Sequence, residues 1–224
     1  MKKLLTSILF LLLAAPAWAT TWYASPTGDN SRSCAQTQDI ATPKRDADNI
    51  LTNCSVQPGD TILVRGGTYS NIQWNFNAGR NGAVGNHIVI ENYPSETPIF
   101  AFSGSTYCNQ NSITFVWWLR NIKFVTFRGF EFDGSACSVS FTAPHSIIQY
   151  VDFGATDIIY DNLTFHDWTS RVQGAFIVDN TGVRIAARTT LRNIHGYNHR
   201  PANTDHAEVI YIAASDVTVE DSYF

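Results

Sequence analysis

Val125-Thr126-Phe127-Arg128-Gly129-Phe130-Glu131-Phe132 is the stretch on which the fold turns: an apolar-x-apolar beat, a polar-Gly pair, then a second apolar step. The beat returns in Ile158-Ile159-Tyr160-Asp161-Asn162-Leu163-Thr164-Phe165, in Thr189-Thr190-Leu191-Arg192-Asn193-Ile194 and in Val217-Thr218-Val219-Glu220-Asp221-Ser222-Tyr223-Phe224. A shorter version, Ile88-Val89-Ile90-Glu91-Asn92-Tyr93, precedes them. Between the third residues of these segments the steps are 37, 33, 31 and 28 residues, and the strand-like Thr61–Val64 ends 26 residues before the first marker. Alternation of this kind is the signature of a strand. The Asn or Gly at mid-segment suits a tight corner, because both tolerate left-handed backbone.

A repeat of this length belongs to a solenoid or a propeller. Propeller blades need four strands, whereas each period here offers two or three short ones joined by Gly/Asn/Asp loops. A variable period also suits a coil whose loops bulge outward while its strands stay stacked about 4.8 Å apart, burying the Ile, Val, Leu and Phe positions in one column. The expectation is an all-β parallel solenoid rather than an antiparallel sandwich.

Upstream, Tyr23-Ala24-Ser25-Pro26-Thr27-Gly28 leads into a helical-looking stretch, roughly 44–53. Pro58-Gly59-Asp60 and the strand Thr61-Ile62-Leu63-Val64-Arg65-Gly66-Gly67-Thr68-Tyr69 follow. Gly59-Asp60 turns the chain and Gly66-Gly67 permits a sharp exit. The helix would shield the first coil's open edge. This segment resembles the N-terminal cap and first strand of right-handed parallel β-helix proteins of the pectate-lyase-like superfamily. The resemblance implies an N-terminal cap over about 20–60 and coils over about 61–224.

Farther out, Lys2 and Lys3, the apolar run from Leu4 to Ala15, Pro16 and Ala17-Trp18-Ala19 read as a signal peptide cleaved after Ala19. The run is short of the roughly 20 apolar residues of a membrane span. The expected product is secreted or periplasmic, with no membrane attachment after cleavage. Its 205 residues carry 13 basic and 19 acidic side chains, a net charge of −6, which excludes nucleic acid as a partner. Charged residues make up 15% of the chain against about 25% in ordinary domains. Cys34, Cys54, Cys108 and Cys137 all fall in the exported part, where disulfides persist. Four cysteines allow three pairings; Cys34–Cys54 with Cys108–Cys137 is favoured, since each pair brackets one local loop.

The superfamily resemblance implies carbohydrate chemistry, chiefly polysaccharide lyases, with some glycoside hydrolases, uronate epimerases, adhesins and phage tailspikes. A lyase must neutralise the substrate carboxylate, remove the proton alpha to it, and protonate the leaving oxygen. In a chain of this negative charge the neutralising group is expected to be calcium held by carboxylates.

Stacking the repeats puts Asp133-Gly134, His166-Asp167-Trp168 and Tyr197-Asn198-His199-Arg200 on one edge. Just beyond lies Asn203-Thr204-Asp205-His206-Ala207-Glu208, the densest polar stretch, at a loop-to-strand junction. The site expected from this stacking has His199, Arg200, His206 and Arg171 as catalytic groups, Trp168, Asn198 and Arg188 binding substrate, and Asp167, Asp205 and Glu208 holding metal. Arginines are preferred for the carboxylate because the guanidinium fork binds it bidentately, and Lys44 and Lys123 are the only lysines after cleavage. Asp133 and Asp167 also suit turns that bond their own backbone. His166, His199 and His206 also suit plain corners, and Trp168 also suits loop packing. Trp117 and Trp118 read as core or buried flank.

Asp216 to Phe224 reads as the opening of a further coil. The expectation is therefore that further C-terminal coils follow, or that a partner covers this end. Two functions stay open: a lyase-type enzyme on an acidic, uronate-containing polysaccharide, and a non-catalytic surface or tailspike-like module that binds glycans.

Overall fold

The computed structural model describes residues 19–77, 80–101, 115–136, 146–151, 155–167, 176–179, 188–198, 210–213 and 215–224. It is mostly β, with one α-helix among the described residues. After β1 (Thr21–Ala24) come a short 3-10 turn (Gln36–Gln38) and α1 (Ala47–Asn53). Two periods of three short strands follow: β2 (Thr61–Val64), β3 (Gly67–Ser70) and β4 (Trp74–Phe76), then β5 (Ile88–Asn92), β6 (Pro98–Ala101) and β7 (Phe115–Leu119). In the next three periods the first two strands run together: β8 (Lys123–Asp133) with β9 (Ser146–Val151), β10 (Thr156–His166) with β11 (Phe176–Asp179), and β12 (Thr189–Tyr197) with β13 (Ile210–Ala213). β14 (Val217–Glu220) begins another.

Every strand pair is parallel and joins one period to the next. One sheet runs β1-β2-β5-β8-β10-β12-β14, with β3 and β6 paired to each other and β6 to the second half of β8; the other runs β13-β11-β9-β7-β4.

The long strands bend where the quoted pattern places its Gly or Asn. Gly129, Asn162, Asn193 and Asp221 have φ of +76°, +54°, +53° and +47°, and the register sets all four in one column. A left-handed residue inserted into an alternating strand shifts the pleat by one position. Phe127 and Phe130, three apart, therefore both face inward, as do Tyr160 and Leu163. This explains the doubled beat: the polar-Gly pair is the corner that keeps both flanking strands apolar side in.

The core is aromatic and ordered in columns. Phe100 stacks on Phe132 at 5.4 Å and Phe132 on Phe165 at 4.7 Å. Phe127 lies over Tyr160 at 5.6 Å and Trp74 over Trp117 at 5.6 Å. In-register parallel pairing puts like side chains about 4.8 Å apart, which is stacking distance for rings. Trp117 is fully buried, as expected of core. Trp118, its neighbour on the strand, turns outward with the Arg120 guanidinium 3.8 Å above its ring.

The cap differs from expectation at its start. The helix begins at Ala47, because Asp46 is extended (φ −115°) and Lys44 is bridged in parallel to Ala24 as part of a strand edge. The buried Lys44 ammonium donates to the carbonyls of Asn30 and Arg32. Ala47, Ile50 and Leu51 seat the helix on the core. Cys34 and Cys54 are bonded, as the spacing suggested; Cys108 and Cys137 lie outside the described residues, as does the signal segment except Ala19. In Pro58-Gly59-Asp60, Gly59 takes φ +90°. The buried Asp60 carboxylate accepts from the Thr20 and Gln57 backbone N–H groups and from the Trp22 indole.

Candidate functional site

The expected edge forms. The register pairs Asp133 with His166 and His166 with Tyr197, three residues separated along the chain by 33 and 31 positions. Each closes a long strand, and period-2 alternation points all three outward, opposite the buried Phe132 and Phe165. Asp167 and Asn198 follow in left-handed backbone, φ +59° and +55°, which carries their side chains round the corner onto the same patch.

His166 is the centre of this group. Its Nε2 lies 3.1 Å from Glu131 Oε1 and its Nδ1 lies 2.7 Å from Asp167 Oδ2 and 3.9 Å from Asp133 Oδ1. Its side chain is 11% exposed, and the Tyr197 ring stacks on it in parallel at 5.1 Å. Asn198 donates to Asp167 Oδ1 at 3.2 Å, and the Ser135 backbone N–H donates to Asp133 Oδ1. Burial alone would push the imidazole down. The hydrogen bonds to Asp167 and Glu131 and the charge of Asp133 outweigh it and hold His166 above its ordinary value. The Tyr197 phenol is pushed up by burial and by the charges of Glu131, Asp167 and Asp133.

This carboxylate group contrasts with the rest of the outer surface. Along the first half of the long strands, Glu91, Arg128, Asp161 and Arg192 alternate in sign from one repeat to the next. Arg128 bonds Glu91 and Asp161 at 3.0 Å, and Arg192 bonds Asp161 at 2.7 Å. Glu96 is gripped by Arg65 and Asp46 by Arg45. Among the described residues, the basic side chain in contact with Glu131 and Asp133 is His166.

Of the residues expected in the site, Asp167 and Asn198 meet here. Arg188 stands at the opposite end of β12, with its guanidinium bound bidentately to Asp157 of the preceding repeat, both contacts at 2.7 Å. His199, Arg200, His206, Arg171, Trp168, Asp205 and Glu208 lie outside the described residues. Glu131 was missed. Its signal was its place two residues before Asp133, hence on the same face of the strand.

No family model matches this chain, and no curated protein matches it. Solved structures do. A rhamnogalacturonan lyase superposes with a TM-score of 0.60 at 14% identity, over 89% of this chain and 56% of its own. A mannuronic acid-specific polysaccharide family 6 lyase from human gut microbiota gives 0.54 at 16% identity, over 90% and 48%. The GH136 lacto-N-biosidase of Eubacterium ramulus gives 0.55 at 16% identity, over 89% and 41%. The chain thus spans between 41% and 56% of the length of these carbohydrate-active enzymes, whose common architecture is the parallel β-helix. At these identities the likeness is one of fold.

Proposed function

We propose that this chain forms a secreted, right-handed parallel β-helix that acts on an acidic polysaccharide by lyase-type elimination. The observation that carries the reading is the row Asp133, His166 and Tyr197, with Asp167 and Asn198, which five residues of three successive repeats build at the ends of three long strands. Strand ends from which loops leave are where binding and catalysis gather on a rigid scaffold. That two of the structural neighbours are lyases of acidic or rhamnose-containing polymers, by their names, supports the substrate class.

In this reading the proton-transfer groups come from among His199, Arg200, His206 and Arg171. Trp168 and Asn198 position the sugar. The cationic side that a uronate carboxylate needs falls in this reading to Arg171 and Arg200. Calcium, the ion expected from the family, prefers six to eight oxygen ligands. Of the ligands expected for it, Asp167 stands in the row, and Asp205 and Glu208 lie outside the described residues.

The test is turnover of polygalacturonate, alginate and rhamnogalacturonan by the full-length secreted protein, followed by the ultraviolet absorbance of an unsaturated product. Asp167→Asn and His166→Ala should each lower that rate by about 100-fold or more while the circular dichroism spectrum is retained. Wild-type rates in both variants would remove the row from the site. Glycan binding with no turnover on any polymer would replace the enzyme by a binding module.

A further inference from the structure

We infer that Lys123 and Phe124 form a second binding site for an acidic polysaccharide, one that takes a uronate by its apolar ring face and its carboxylate. The site stands at the start of β8, at the opposite end of that strand from Asp133. It rests on the reading that the ligand is an acidic polymer, but it lies apart from the row and takes no chemistry from it.

The first observation is backbone strain. Phe124 has φ +54°, and for a bulky side chain that conformation is an outlier. The register sets Phe124, Asp157, Arg188 and Asp216 in one column at the entry to four successive repeats. All four have positive φ, at +54°, +61°, +42° and +58°. Asp enters this region readily, and Arg188 is tied there by its bidentate bond to Asp157. Neither reason applies to a phenylalanine.

Core packing does not account for the ring either. Among the described residues, the half-buried apolar side chains packed on the core are Cys34, Ile72 and Val217. Phe124 instead meets the His87 imidazole, edge-on at 5.8 Å. Strain of this kind persists where function holds it.

The second observation is what surrounds the ring. The segment 81–87 runs alongside it. Asn81 Oδ1 accepts from the Lys123 backbone N–H, the Gly82 N–H donates to the Lys123 carbonyl, and His87 reaches Phe124. Ala83 and Asn86 close a turn in this segment. Val84 lies within that turn and, at 84% exposure, is the most exposed large apolar side chain among the described residues.

Charge completes the site. Of the two lysines beyond residue 19, Lys44 is buried and Lys123 is exposed. The carboxylate opposite Phe124, that of Asp157, is already engaged by Arg188 and by the Thr156 hydroxyl. The C–H face of a pyranose packs on an aromatic ring, and a uronate carboxylate meets the ammonium as a point charge. A chain of net charge −4 repels acidic polymers on average, so holding one requires a local basic spot of this kind.

The experiment is calorimetric binding of polygalacturonate and of alginate to the full-length protein, with melting curves of the free proteins. Phe124→Asn should raise the melting temperature by about 2–4 °C, because Asn accepts positive φ, and should weaken both polymers by about 10-fold. Phe124→Tyr, which keeps the ring and the strain, should retain wild-type affinity and melting temperature. Lys123→Gln, at an exposed position that folding does not depend on, should weaken both polymers by about 2- to 5-fold at low salt. Affinity unchanged in Phe124→Asn and Lys123→Gln would overturn the site. So would a lower melting temperature in Phe124→Asn, which would assign the ring to packing, or a wild-type protein that binds neither polymer. Turnover measured in parallel separates the two readings. Cleavage with unchanged binding in the variants removes this site and leaves the enzyme standing; binding lost in the variants while no polymer is cleaved supports the site and removes the enzyme.

Discussion

The Asp48 carboxylate, in the first turn of α1, accepts the backbone N–H of Asn75 in β4 at 2.8 Å. The cap helix is thereby tied to the first strand of the second sheet, whose outer edge it covers. Burial, and secondarily the charge of Asp46, push Asp48 up to about 6 against the hydrogen bonds from Asn75 and Asn49. An acid raised on folding is better protonated in the folded state. Its contribution is therefore full below 3.8 and lost as pH rises from there to about 6. Asp48→Asn keeps an oxygen acceptor and removes the charge. The variant should gain on the wild type across that window, by up to about 3 kcal/mol at neutral pH. Urea denaturation at a series of pH values reads the difference; a constant offset would show that Asp48 does not titrate there.

Asp161 behaves in the opposite sense. Its burial is outweighed by hydrogen bonds from Arg192, Asn193 and Arg128, which hold it down to about 2. Its contribution is present above 3.8 and lost as pH falls through about 2. Asp161→Asn should destabilise the fold by about 2–3 kcal/mol at pH 7, because two guanidinium groups lose their shared anion. The gap between variant and wild type should close toward acid. Equal stability at pH 7 would mean the ladder is solvated rather than structural.

At the corner column, Gly129 and Asn162 occupy equivalent left-handed positions but different surroundings. A Cβ on Gly129 would run into the Asn92 side chain. Gly129→Ala should cost about 1–3 kcal/mol, and Asn162→Val about as much, because a β-branched residue resists positive φ. Asn162→Gly should stay within about 0.5 kcal/mol of wild type. Thermal melts of the three proteins check the order.

The Cys34–Cys54 bond joins residues 20 apart and ends on the C-cap of α1. Closing a loop of that length contributes about 3 kcal/mol. The double Cys34→Ser, Cys54→Ser variant should lose roughly that in urea, and limited proteolysis should cut first within the cap. Cleavage first at the corners of the long strands would assign the weak point elsewhere.

Much of this was legible in the chain. Alternation in Val125–Phe132 and its relatives names the inward residues, and Gly129, Asn162 and Asn193 mark the corners, since φ > 0 selects Gly and Asn locally. The polar triplet Asp133, His166, Tyr197 was legible because each residue falls at the same step of its repeat. Glu131 was passed over as one more outward residue, and Arg188 was placed by residue type, without sight of its partner Asp157. The start of α1 was misjudged because Lys44 is held in a strand edge by a tertiary bridge to Ala24.

By itself, then, the amino-acid order determined what nearest neighbours determine: which positions are strands, which side of each is apolar, where the backbone turns, and that the unit repeats. Only the tertiary structure decided which outward side chains meet. His166 meets Glu131 and Asp133 of one neighbouring repeat and Tyr197 of the other, and Asp161 meets two arginines, through a register set by parallel pairing across loops of unequal length. Contact at 2.7–3.1 Å between residues some 30 positions apart comes from stacking, and no local preference of the chain encodes it.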